Sequence, residues 1–460
     1  MTARDIPAGV IPQEVAGLCR RLGEAGFEAH LVGGCVRDLL LGREVHDWDV
    51  ATSARPRDVQ RLFRRTVPIG IDHGTVAVVL PSRLQVEVTT YRGEGAYSDG
   101  RRPDSVTFVR SLEEDLQRRD LTINAIAIDP QAERVVDPIG GRADLARRVI
   151  RAVGDPGERF AEDGLRCMRA VRFAAVLEFT MEPDTLAAIG TSMGSFRKVS
   201  RERVRDELLK LLAARRPSLG LELMESSGLL EEVLPELAAG RGVQQNRFHG
   251  EDVYEHSLRA CDNALGDPIL RLAVLLHDVG KPETAAPHES REGESTFYGH
   301  HEVGARICEK IAGRLRLSRE QSERLCRLVR HHNFPLEGWT DAGLRRFVRR
   351  VGRESLDDLF TLRRADLAGR DGPDQRPQLE ELRGRIDGLL RQEPPLEPRE
   401  LAVDGRALMR RLGIPPGPAV GQILRALMER VLDDPDLNTE ERLLGLAEEI
   451  AAGQSGQSGD

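Results

Sequence analysis

Asp47 and Asp49 stand one residue apart in VHDWDV. On an extended strand, side chains at i and i+2 share a face. Two carboxylates held there repel each other unless a cation lies between them. A hard divalent ion such as Mg²⁺ takes one or two carboxylates plus phosphate oxygens. Just upstream, LVGGCVRD supplies the other half of such a site. Gly33-Gly34 lets backbone N–H groups approach a phosphate closely, and Arg37 adds a permanently charged, forked donor. A D-x-D triplet alone reads better as a polar turn with two solvated acids. Its coupling to Gly33, Gly34, Arg37 and a strand-like run at 27–32 moves the reading to a metal–nucleotide site. Glu87 shares a face with Gln85 and Thr89 in the β-rich run 84–91, so it is a candidate third carboxylate. A solvated sheet face explains it equally well.

Three further groups can carry chemistry. Arg118, Arg119, Asp120 and Asn124 fall together in RRDLTIN and suit phosphate and ribose, or else a charged helix end before a strand. Asp163 and Arg166 lie i, i+3 in the helical pattern RFAEDGLRCMRAVRFAAVL. Side by side they can offer an acceptor and donors to a base edge. By spacing alone they are an ordinary helix salt bridge worth about 0.2–0.5 kcal/mol. Between 245 and 370 come His256, His277-Asp278, His300-His301, His331-His332 and Asp366. Imidazoles and carboxylates on separate helices can form a metal cluster once the helices pack.

The elements that must position these residues follow from periodicity. A helix is expected over 11–26, with Val15, Leu18, Cys19 and Leu22 on its apolar side. After the strand at 27–32 come a short helix (Val36, Leu39, Leu40), the strand bearing the two acids, and a helix from Pro56 with Val59, Leu62 and Phe63 inward. Runs 75–80 and 84–91 flank Pro81-Ser82 as a hairpin. The glycine- and charge-rich stretch 92–104 is expected to be a mobile functional loop. A turn-rich connector at 137–145 closes a first domain near Ile150. From Pro156 the pattern is almost wholly helical, a polar, Pro-rich stretch spans 371–398, and GQSGQSGD at the end is expected to be disordered.

At 460 residues the chain has room for about three domains, and 40% apolar with 31% charged residues suits a globular protein. No apolar run nears the roughly 20 residues that span a bilayer, and the first thirty residues lack a basic segment leading into an apolar core. Six cysteines without CxxC spacing read as buried thiols of a reducing cytoplasm, not as a disulfide framework or zinc ribbon. A net charge of −8 argues against coating nucleic acid non-specifically, though a local basic groove stays open.

Together these residues resemble the class II tRNA nucleotidyltransferase and poly(A) polymerase family, particularly bacterial CCA-adding enzymes with an HD domain. LVGGCVRD with HDWD resembles the motif for triphosphate and catalytic metals, RRDLTINA the ribose-reading motif and DPIGGRADL the hinge. EDGLR (162–166) matches the EDxxR motif, whose Asp and Arg, here Asp163 and Arg166, pair with the Watson–Crick edge of CTP or ATP. ERVRDELLKLL resembles the motif that steadies that helix, and YSDGRRPDSV the loop needed to switch from C to A addition. HDVGKPET and YGHHEVGA are similar to HD signatures, and LMRRLGIPPGP to the tRNA-holding tail. The HD signature usually has one histidine where this chain has His300-His301, and the spacing favours His300. The choice between His331 and His332 stays open.

The resemblance implies an α+β fold. A polymerase-β-like nucleotidyltransferase domain with a small mixed sheet is expected at 1–150. An all-α neck at 151–240, an HD domain at 241–375 and a helical tail at 376–460 follow. The implied reaction is template-independent addition of CCA to the tRNA 3′ end from CTP and ATP. Asp47 and Asp49 would hold two Mg²⁺, with Glu87 as third carboxylate, and Gly33, Gly34, Arg37 and Arg119 would hold pyrophosphate. Asp120 would read the ribose, and Asn124, Asp163, Arg166 and Arg169 complete the nucleotide-binding set. His256, His277, Asp278, His300, His331 and Asp366 are the candidate ligands for a transition metal in the HD domain, which implies a secondary phosphohydrolase activity. The rival readings are an A-adding enzyme, a poly(A) polymerase, or chiefly an HD phosphohydrolase. The full-length loop at 92–104 and the short tail of mixed charge favour CCA addition. Expected partners are tRNA, CTP and ATP, without a membrane; the state is open between monomer and homodimer.

Overall fold

The computed structural model describes residues 9–71, 74–93, 109, 111–245, 251–288, 295–370, 373–392 and 394–455. They fall into two compact units, one within 1–239 with 311–317, the other within 240–310 with 318–460.

The first unit is built on a seven-stranded mixed sheet in the order β3-β4-β5-β2-β1-β6-β7. The strands are β1 (Ala29–Val32), β2 (Trp48–Thr52), β3 (Thr66–Gly70), β4 (Thr75–Val79), β5 (Gln85–Thr90), β6 (Ala127–Asp129) and β7 (Arg134–Val136). β2 and β5 pair in parallel, with Asp49 opposite Glu87, and the other neighbours are antiparallel. β-Branched residues favour these pleated runs. Val50, Val86 and Val88 are buried, and burying each contributes about 1.5–3 kcal/mol. Alternation then sends Asp49 and Glu87 to the opposite face. Helix α1 (Gln13–Glu24) buries Val15, Leu18, Cys19 and Leu22, as its spacing requires. Helix α2 (Gly34–Leu40) starts directly at the end of β1, and α3 (Pro56–Leu62) has proline in its first turn. Helix α4 (Leu112–Gln117) packs Leu112 and Leu116 into a core cluster with Val32, Ala51 and Tyr91. Residues 94–104 of the expected loop lie outside the described residues.

Helix α5 (Gly141–Arg147) follows, and from Pro156 the described residues of the unit are helical apart from a short strand, Thr180–Met181, that pairs with Val149–Ile150. One expectation changes here. The pattern at 156–177 is two helices, α6 (Pro156–Glu162) and α7 (Leu165–Leu177), broken at Asp163-Gly164. A Cβ on Gly164 would lie 2.5 Å from the backbone of Ser195 and Phe196. That close approach is open only to glycine. Asp163 turns extended (φ −142, ψ 104) and its Oδ1 accepts the N–H of Leu165, the first residue of α7, at 3.0 Å.

Among its described residues the second unit is helical apart from a two-stranded ribbon. Asp252 and Glu255 form a capping box for the helix Val253–Asn263. Asp267 caps Pro268–Leu276, accepting from the N–H groups of Ile269 and Leu270. Helices His300–Arg314, Arg319–His331 and Leu356–Ala368 carry most of the remaining candidate ligands. The helix Glu440–Ser455 runs into the segment expected to be disordered, and 456–460 lie outside the described residues.

Candidate active site

The β1–α2 turn places Gly33 at φ +75, a left-handed conformation that favours glycine. A Cβ there would sit 3.2 Å from Arg119 Nη1 and 3.5 Å from Asp49 Oδ2. The turn thus brings backbone, guanidinium and carboxylate to one point. Asp47 is exposed just ahead of β2, Asp49 is partly buried on it, and Glu87 stands beside Asp49 on β5. Burial pushes the Asp49 carboxyl up to about 6; Glu87 adds to the rise, Arg119 opposes it and Asp47 adds further. Converging carboxylate oxygens that resist shared ionisation suit a hard divalent cation. These residues fit such an ion.

Two cavities meet at Asp49. One, of about 550 Å³, is lined by Gly33, Gly34, Arg37, Asp47, Arg172 and Lys210 among others. The other, of about 400 Å³, is lined by Glu87, Thr89, Arg118, Asp163, Arg166 and Arg203 among others. Asp49, Arg119, Asp120 and Arg169 line both. Between them runs a polar chain. Arg37 Nη1 donates to Asn124 Oδ1 at 2.9 Å, Asn124 Nδ2 to Asp120 Oδ1 at 3.3 Å, and Arg169 Nε to Asp120 Oδ2 at 2.6 Å. Burial would raise the Asp120 carboxyl, but Arg169, Arg166 and the Asn124 amide hold it at about 2.

Asp163 and Arg166 come to the same cavity without their side chains pairing to each other, which corrects the same-helix salt bridge. Arg203 Nη2 binds Asp163 Oδ2 at 2.7 Å and Nη1 binds Oδ1 at 3.3 Å. Arg166 Nη1 donates to the Arg159 carbonyl at 2.9 Å and to Glu162, and Nη2 to the Arg118 carbonyl at 3.1 Å. A guanidinium has five N–H donors. Nε–H and one Nη2–H of Arg166 therefore stay without a partner among the described residues. A fork of two donors beside a fixed carboxylate is suited to the mixed acceptors and donors of a base edge.

In the second unit, His256, His277, Asp278, His300, His332 and Asp366 are buried together. Ligand atoms of His256, His277 and Asp278 lie within 4.8 Å of one another, as do those of Asp278, His300 and His332. The Nδ1–H groups of His277, His300 and His332 donate to the carbonyls of Val274, Phe297 and Val329 at 2.7, 2.8 and 2.7 Å. That fixes the tautomer and leaves each Nε2 lone pair turned inward. Burial pushes His332 down to about 4, so it stays neutral at pH 7. Nitrogen and carboxylate donors in this arrangement suit a divalent transition metal. Asp366 is shared. Its Oδ1 lies 3.2 Å from His256 Nε2 while Arg363 and Arg370 hold Oδ2 at 2.6 and 2.7 Å. His331 is not in the cluster. It ends the helix Arg319–His331, and the next residue, one helical step round, is the one that points in. His300, not His301, reaches Asp278 Oδ1, at 3.4 Å.

Residue-by-residue reading of the sequence passed over Asp115, Arg172, Phe173, Arg203, Glu207 and Lys210. Asp115 is 1% exposed and binds both Arg118 and Arg119. Glu207 binds Arg172 at 2.5 Å and Lys210 at 3.4 Å. Arg203 and Glu207 are four apart on the helix Arg201–Leu212, so they share a face. That spacing was the available signal.

Comparison with known proteins gives the same parts in order. Residues 29–151 match the Poly A polymerase head domain, 178–240 the "Probable RNA and SrmB- binding site of polymerase A", 253–381 the HD domain and 375–447 the tRNA nucleotidyltransferase domain 2. A CCA-adding enzyme of Limosilactobacillus reuteri is 36% identical over 451 residues, 98% of this chain and 99% of that protein. The match to the Levilactobacillus brevis CCA-adding enzyme is 55% identical over 206 residues but spans about half of that relative, 51%. Among solved structures, the Bacillus stearothermophilus CCA-adding enzyme in complex with CTP superposes with a TM-score of 0.73 at 32% identity, covering 97% of this chain and 98% of that one. The Thermotoga maritima CCA-adding enzyme complexed with tRNA has the same fold, with a TM-score of 0.59 at 19% identity over 98% of each chain. Among the described residues no helix is long and apolar enough to cross a membrane. With a relative 36% identical along virtually its whole length, the chain belongs to the CCA-adding enzyme family of nucleotidyltransferases.

Proposed function

We propose that this chain adds CCA to the 3′ end of tRNA from CTP and ATP, in the cytoplasm. The observation that carries the reading is the pair of cavities joined at Asp49, one lined by acids, glycines and arginines, the other by the Asp163 carboxylate and the Arg166 fork. Asp47, Asp49 and Glu87 would hold two Mg²⁺. Bound there, the ions would lower the pKa of the attacking hydroxyl and neutralise charge developing on the α-phosphate. The backbone at Gly33-Gly34, with Arg37 and Arg119, holds the β- and γ-phosphates. The 3′-oxygen of tRNA bonds to the α-phosphorus, the bond to the bridging oxygen breaks and pyrophosphate leaves. Asp120, oriented by Arg169 and Asn124, accepts from the ribose hydroxyls. Asp163 and Arg166 select the base, held in place by Arg203 and by Glu162 with the Arg159 and Arg118 carbonyls. Residues 1–150 then act as the transferase domain, 151–240 as neck, 241–375 as HD domain and 376–460 as tail.

The test is to offer tRNA ending at the discriminator base, at C or at CC, with CTP and ATP separately and together. Stepwise completion to CCA supports the reading. Addition of A alone, or runs of A, would assign the A-adding or poly(A) activity instead.

The inward Nε2 atoms of the second cluster favour an additional metal-dependent phosphohydrolase activity, with 2′,3′-cyclic phosphates or phosphomonoesters as substrates. Hydrolysis that survives Asp47→Ala and is lost in His277→Ala is the expected signature.

A further inference from the structure

Phe173 lies on α7 with only 7% of its surface exposed, and its ring lines the cavity that holds Gly33, Arg37 and Asp47. Three guanidinium carbons gather on that ring: Arg172 at 3.7 Å from the centroid, Arg37 at 4.9 Å and Arg169 at 5.6 Å. Each is tethered at its far end to a different partner: Arg172 to Glu207, Arg37 to Asp38 and Asn124, and Arg169 to Asp120. Three like charges this close repel. The negative face of an aromatic ring, screened from water, offsets that repulsion and fixes where each cation sits. Leucine, the aliphatic side chain nearest in size, lacks that charge distribution and leaves a small packing loss besides.

We propose that Phe173 is a positioning residue whose ring clamps Arg37, Arg169 and Arg172, and so sets the phosphate-side arginine in register with the ribose-side Asp120. The inference rests on the nucleotidyl-transfer reading and deepens it. The two ends are joined by the chain Arg37–Asn124–Asp120–Arg169, whose first and last members both lie on the ring. Loosening the ring therefore disturbs triphosphate binding and the choice of ribose over deoxyribose together. Packing loss alone would weaken both nucleotides alike.

The experiment measures dissociation constants of ATP and dATP, alongside CTP incorporation, for the full chain, Phe173→Leu and Phe173→Tyr. In Phe173→Leu, ATP binding should weaken about thirtyfold, the scale of one desolvated cation–π contact, and the ratio of dATP to ATP dissociation constants should fall. Phe173→Tyr, which keeps the ring, should restore both. An unchanged ratio in Phe173→Leu, or a Tyr variant as defective as the Leu variant, would overturn the clamp. Thermal melts of each variant identify any that fails to fold, and Arg172→Gln, which removes the closest cation from the same ring, then decides by the same ratio. If the wild type incorporates no CTP, the transfer reading fails while the ATP/dATP ratio still decides the role of Phe173.

Discussion

Under the proposed function base choice turns on Asp163, a carboxylate whose surroundings hold it in one position. Arg203 grips both its oxygens, and the Leu165 N–H adds a third bond to Oδ1. One lone-pair position on Oδ2 is left to face the cavity. Asp163→Ala should degrade the preference for CTP and ATP over UTP by about 1–3 kcal/mol, the worth of a good base-edge contact, in primer extension with each nucleotide. Unchanged preference would count against it. Asp120 makes a second prediction, on stability. Its folded pKa is held down, at about 2 against 3.8 for the free group. Its contribution is therefore complete above the unfolded pKa and lost as pH falls from about 4 through 2. Urea melts should show Asp120→Asn less stable than wild type by about 2 kcal/mol at pH 7, with the gap closing near pH 2. A gap that persists in acid would contradict the pairing with Arg169.

At the level of elements, the break between α6 and α7 separates Asp163 from Arg166 and lets each take its own partners. Gly164 makes it possible by lying against Ser195 and Phe196. Gly164→Ala should therefore cost about 1–3 kcal/mol by overpacking and raise the KM for both nucleotides, read by thermal melts and steady-state kinetics. An unaltered melting temperature would contradict the close packing. The break was partly legible: the apolar positions step from Phe160 to Leu165, five residues apart, where an uninterrupted helix face calls for three or four. The α1 face, the β4–β5 hairpin and the shared face of Glu87 were readable because each depends on local period. The β2–β5 pairing that sets Glu87 against Asp49 was not. Strand register between distant segments is decided by the packing of the whole sheet.

Over the whole molecule, two candidate metal sites sit in two different units, each built from residues far apart in sequence. Their types and order were visible in the chain, down to His277-Asp278 and the D-x-D pair. The choice of His332 over His331 was not, because it depends on the rotation at which one helix ends. So too for Phe173, whose proposed role depends on what packs beside it, and for the partners of Arg203 and Glu207, whose spacing showed a shared face but not what that face meets. The placement in different units predicts independence: as long as the second unit stays folded, His277→Ala should leave CTP incorporation within about twofold, on the order of 0.4 kcal/mol, while abolishing any metal-dependent phosphoester hydrolysis. In the proposed mechanism the Asp47–Asp49 face performs the transfer. That role is tested most directly by CTP incorporation into tRNA lacking CCA, compared in wild type and Asp47→Ala, with tRNA affinity measured on the same samples. Incorporation should disappear while tRNA binding is nearly unchanged; incorporation retained at the wild-type rate would show that the chemistry lies elsewhere.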